Sequence, residues 1–98
     1  MEKSIQIAKS VLANMFKIEK IHFEKHLSRS ANINEARRFL IFYLYTECKI
    51  KHLHMKKYIP ALQNHATSIH HFRKMSDLME MEKETKNLYS EFRTTMID

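Results

Sequence analysis

Gln63-Asn64-His65-Ala66-Thr67-Ser68-Ile69-His70-His71-Phe72-Arg73-Lys74-Met75 decides the fold of this chain. It opens with small hydrogen-bonding side chains and continues with apolar groups at helical spacing. Asn64 suits an N-cap, because its side-chain oxygen can accept from the backbone N–H groups that the first turn of a helix leaves free; the helix then begins at His65. Ile69, Phe72 and Met75 recur every three residues and make one apolar face that docks on a core. His65, Ala66, Thr67 and His71 fall on other faces. A helix in the major groove of DNA reads base edges chiefly through its first turns, where Thr and Ala meet a thymine methyl and Asn or His hydrogen-bond bases or phosphates. Upstream, Pro60 disfavours helical backbone at Ile59, so a turn separates this helix from a short one that ends before it. The predicted arrangement is helix, turn, helix over about 50–76.

The charge is uneven in a way that matters for this stretch. The 98 residues carry 17 Lys or Arg, 11 Asp or Glu and 7 His, a formal net charge of +6. Residues 1–27 hold five basic and three acidic groups, residues 28–75 nine and two, and residues 76–98 three and six. The positive field therefore falls on the segment where phosphates would be met. Five of the seven His lie there too, so mild acid is expected to make that face more positive.

The remaining pattern predicts a compact all-α bundle of about six helices in a single domain, residues 1–98. The chain has no Gly and one Pro, which removes the main helix breakers. Lys3 to Met15 carries Ile5, Ala8, Leu12 and Met15 on one stripe. A short helix is expected from about Glu19 to His26, burying Ile21 or Phe23, followed by a Ser- and Asn-rich loop from Leu27 to Asn34. Asn32 or Asn34 then caps a helix from about Glu35 to Cys48 that is apolar around most of its circumference, as a central helix would be. Leu53, Met55 and Ile59 suggest the short helix before Pro60. An acidic C-terminal helix over 77–96, or a continuation of the one before it, carries Leu78, Met81, Leu88, Phe92 and Met96; Ser76-Asp77 could cap its start.

His65, Thr67, Ile69, His70, Lys74 and Met75 resemble the signature of the bacterial replication initiator DnaA, whose C-terminal DNA-binding domain carries a Gly-Gly-Arg-Asp-His-Thr-Thr-Val-x-His run and a Lys-Ile pair. Glu35-Ala36-Arg37-Arg38-Phe39 is similar to the family's x-Pro/Ala-Arg-Gln-Ile segment, and Ser28-Arg29-Ser30 to the basic loop before it. The resemblance spans roughly residues 7–92. It implies the helix-turn-helix fold of that domain, related to that of the Trp repressor, and binding to double-stranded DNA. The chain departs from the family where Gly-Gly-Arg-Asp becomes Ala61-Leu62-Gln63-Asn64, where the first signature Thr becomes Ala66, and where Glu35 replaces the basic residue that enters the minor groove.

The expected DNA contacts are Asn64, His65, Ala66, Thr67 and His71 toward the major groove, with Arg29, Arg37, Lys56, Lys57 and Lys74 on phosphates. No cofactor, metal or catalysis is expected. The chain lacks a glycine loop to cradle phosphate, His22 and His26 or His65, His70 and His71 have no carboxylate or Cys to complete a ligand set, and no nucleophile pairs with a base. The single Cys48 fits a reducing compartment. The longest apolar run, Phe39 to Tyr45, is far short of the ~20 residues of a membrane span, and nothing resembles a signal peptide. These features suit a cytoplasmic regulator of replication or transcription, nucleoid-associated or, if phage-encoded, in the host cytoplasm. Further partners would be replication proteins or a second copy. The alternative is a protein-contact role, such as a phage structural component, that keeps the fold without reading DNA.

Overall fold

With no glycine to interrupt it, the chain is helical almost throughout. The computed structural model describes residues 2–26 and 30–97. Within them lie six α-helices: α1 (Glu2–Phe16), α2 (Ile21–Glu24), α3 (Ala31–Thr46), α4 (Met55–Tyr58), α5 (His65–Met81) and α6 (Lys83–Ile97), with a 3-10 turn at His52–His54 leading into α4. They form an all-α bundle measuring 29 × 27 × 26 Å.

The absence of glycine has a local cost. The backbone turns left-handed directly after α1, at Lys17 (φ 56°), and three residues after α3, at Lys49 (φ 59°). Each turn is closed by amides reaching back to the last helical carbonyls, Ile18 N–H to Ala13 O at 2.9 Å and Ile50 N–H to Leu44 O at 3.0 Å. Glycine is the usual occupant, since a Cβ costs about 1 kcal/mol or more in that region.

α3 is the central helix, and its composition says why. Ala36, Phe39, Leu40, Ile41 and Leu44 are all buried, and Phe42 and Tyr43 are half-buried on its flanks. It packs against α1 and α5, while α6 closes the bundle against α1 and α5. Edge-to-face aromatic pairs join the layers: Phe16 and Phe39 at 5.0 Å, Phe42 and Tyr89 at 5.1 Å, and Tyr43 and Phe92 at 5.2 Å between ring centroids. Such pairs add about 0.5–1.5 kcal/mol each beyond the area they bury. Lys9, 3% exposed, crosses from α1 to Glu24 of α2 at 2.7 Å.

Several expected boundaries move. α3 starts at Ala31, because Ser30 accepts from the Ile33 N–H and so caps it ahead of Asn32 and Asn34. α2 is shorter than expected and buries Phe23, leaving Ile21 exposed. The largest correction is at the C-terminus. Ser76-Asp77 does not start a helix; α5 runs through them to Met81, and the break falls at Glu82, whose backbone is extended at φ −118° and ψ 112°. Glu82 then takes up the start of α6, its carboxylate accepting from the Thr85 hydroxyl at 2.9 Å and its carbonyl from the Lys86 N–H. The acidic segment is therefore the end of one helix and the start of the next. Met81, placed on the core stripe by its spacing, is 81% exposed as a result.

Candidate nucleic-acid interface

The short helix, turn and long helix are built as the sequence implies. Ile59 leaves the helical conformation (φ −128°, ψ 78°), which the following proline disfavours. The turn is pinned by the Ala61 N–H to Phe23 O at 3.1 Å and by burial of Ala61 and Leu62. On its far side His52 Nδ1 lies 2.8 Å from the hydroxyl of Ser68, which is fully buried in α5. The His52 ring stacks on Tyr45 at 4.4 Å and meets the edge of Phe72 at 5.3 Å. These contacts fix the short helix against α5. Burial, with Arg73 and His65 nearby, pulls the His52 imidazole below its ordinary range.

Asn64 caps α5. Its backbone is extended, and its side-chain oxygen accepts from the Thr67 N–H at 3.1 Å and lies 3.4 Å from the Thr67 hydroxyl. His65 and Ala66 are exposed on the first turn, and Thr67 is half-buried. Lys56, Lys57 and Lys74 are exposed; Lys56 donates to the carbonyl of Gln63 at 3.3 Å, and Lys57 sits 5.8 Å from the Tyr58 ring centroid. Among the described residues the ion pairs are Lys9 with Glu24 and Arg93 with Glu47, and neither involves these lysines.

Arg37 differs from its expected role. It is 3% exposed, and its guanidinium donates to the carbonyl of His22 at 2.9 and 2.7 Å and to that of Lys25 at 3.3 Å. Its Nε and Nη2 go to backbone carbonyls of α2 and the residue after it, and its Nη1 lies 3.5 Å from His26 Nδ1, so Arg37 is a structural tie rather than a free phosphate contact. Burial also pulls its pKa down. His71 is likewise drawn inward. It is half-buried, its Nδ1 has no hydrogen-bond partner among the described residues, and burial, helped by Arg38, His70 and Arg37, pushes its pKa down to about 4. The positive charge that mild acid is expected to add to this face therefore does not come from His71 and is smaller at His52. Arg29, with Leu27 and Ser28, lies outside the described residues, and the rest of the expected loop is the cap and first turn of α3.

Two placements could not be read from the sequence. A cavity of about 290 Å³ between α3 and the start of α5 is lined by His26, Asn34, Arg37, Gln63, Thr67 and His71, bringing the two motifs together. Glu35 lies elsewhere. It shares a smaller cavity with Arg38, Leu78 and Glu82, where α5 ends, and its charge with that of Glu82 offsets the burial of the Arg38 guanidinium. Ser68 was also missed, although it sits seven residues before buried Met75 and so on the same helical stripe. Compared with protein-family models and with curated proteins, the chain matches none.

Proposed function

We propose that the chain is a non-catalytic double-stranded DNA-binding protein of the DnaA C-terminal domain type, with α4, the turn and α5 as its helix-turn-helix. Its process would be replication or transcription control in a bacterium, phage or mobile element. The observation that carries this is the exposed first turn of α5, set in a stretch, residues 48–76, that contains five Lys and one Arg and no carboxylate. Such a turn presents backbone N–H groups, His65 and the Asn64 amide beside free lysines, which suits phosphate and base edges together. The position of Glu35 at the other end of α5 supports the reading, since its charge does not sit on that turn.

The test is a titration of the protein against labelled duplex DNA over a range of salt. Contact with five or six phosphates gives a slope of log affinity against log salt near about −5. Selection from a random duplex library then asks whether a sequence is read. Absence of duplex binding even at low salt would turn the assignment to protein contact, the role favoured by the exposure of Leu53 (69%) and Met81 (81%).

A further inference from the structure

The two most exposed large apolar side chains, Met81 and Leu53, stand in segments of opposite charge. Met81 ends α5 at the corner with α6, and from Asp77 to Lys86 the chain holds four carboxylates and two amines. At the other end, residues 48–58 hold four lysines and no carboxylate. There an open groove of about 330 Å³ is lined by Cys48, Ile50 and Tyr58 and rimmed by Lys49, Lys51 and Lys57. His54 completes its lining, so apolar and cationic groups share its surface, which fits an apolar side chain flanked by carboxylates. Methionine is unbranched and adapts to an irregular groove.

We infer that Met81 of one copy docks in the Ile50/Tyr58 groove of a second copy, with Glu80 and Glu82 against Lys49, Lys51 and Lys57. The groove belongs to the segment that packs, through His52, on Ser68. Met81 lies thirteen residues further along α5, about 20 Å away along the helix axis, so one molecule cannot close the contact on itself. The two surfaces differ, which makes the association head-to-tail and open to extension by further copies. It is weak, because one side chain and its flanks bury far less than the ~1,200 Å² of a stable interface. The inference does not depend on DNA binding, although Lys57 serves both.

Sedimentation equilibrium of the full chain tests it, up to about 1 mM, where even weak pairs associate. The average mass should rise with concentration and fall back as salt is added. Met81→Ser, at an exposed position, should lower the association constant about tenfold or more, as should Glu80→Lys with Glu82→Lys and, separately, Lys49→Glu with Lys51→Glu. Mixing the two charge-reversed proteins should restore association that neither shows alone. A chain that stays monomeric throughout, or a Met81→Ser protein that associates as strongly as the wild type, overturns the proposal. If a charge-reversed protein does not fold, Met81→Ser alone decides. Duplex affinity of Met81→Ser at dilution, where copies are separate, should equal that of the wild type whichever way the association result falls.

Discussion

The Ser68 hydroxyl, fully buried inside α5, lies 2.8 Å from His52 Nδ1 on the 3-10 turn, and this one polar contact helps set how the short helix sits on the long one. Removing it should cost more than an average surface change. Ser68→Ala should destabilise the fold by about 1 kcal/mol, since the half-buried imidazole loses its partner. In a domain of this size that lowers Tm by about 4–8 °C. A thermal melt unchanged within error would mean that the stacking of His52 on Tyr45 holds the element alone.

Arg37 should behave as a structural residue. Arg37→Met keeps much of the side-chain stem but strands the carbonyls of His22 and Lys25, and should lower the unfolding free energy in urea by about 2–4 kcal/mol. Protein that remains folded should bind duplex with a salt slope close to that of the wild type. Full stability combined with a slope reduced by about one unit would instead make Arg37 a phosphate contact.

His65→Ala and Lys57→Ala should fail differently. His65, exposed on the first turn of α5, should lose about 1–3 kcal/mol on a selected sequence and little on random DNA. Lys57 should weaken both alike and reduce the salt slope by about one unit. Equal losses on both DNAs for His65→Ala would leave an electrostatic binder that reads no sequence.

The His71 imidazole predicts acid sensitivity. Its pKa falls from the ordinary 6.5 to about 4 on folding, so between those values the unfolded chain binds a proton that the folded one does not. Stability is then fully present above about pH 6.5 and declines as the pH falls toward 4, by on the order of 1–3 kcal/mol. His71→Gln should flatten that part of the stability curve in urea titrations. A variant that declines as steeply as the wild type would assign the loss to other groups.

Lys17 offers a gain. Glycine removes the Cβ from its left-handed backbone (φ 56°), and Lys17→Gly should raise the unfolding free energy by about 0.5–1 kcal/mol. A loss of stability would show that the lysine stem packs usefully at the end of α1.

The sequence by itself determined what depends on neighbours along the chain. The missing glycines and the apolar stripes made the chain a helical bundle with α3 at its centre. Pro60 fixed the turn through its effect on Ile59, and Asn64 the start of α5, because capping and proline restriction act within three residues. Tertiary structure alone decided where those helices stop and which polar groups are withdrawn. α5 passes through Ser76-Asp77, since packing on α3 and α6 outweighs a local capping preference. Arg37 turns inward because α2 and the residue after it, far from it in sequence, offer backbone carbonyls to its guanidinium. Met81 is left in solvent because the break at Glu82 changes the direction of the chain. Glu35 and the first turn of α5 are likewise parted because Asn34 and Arg37 line the cavity with Thr67 while Glu35 shares one with Leu78 and Glu82, a long-range relation that no local pattern encodes.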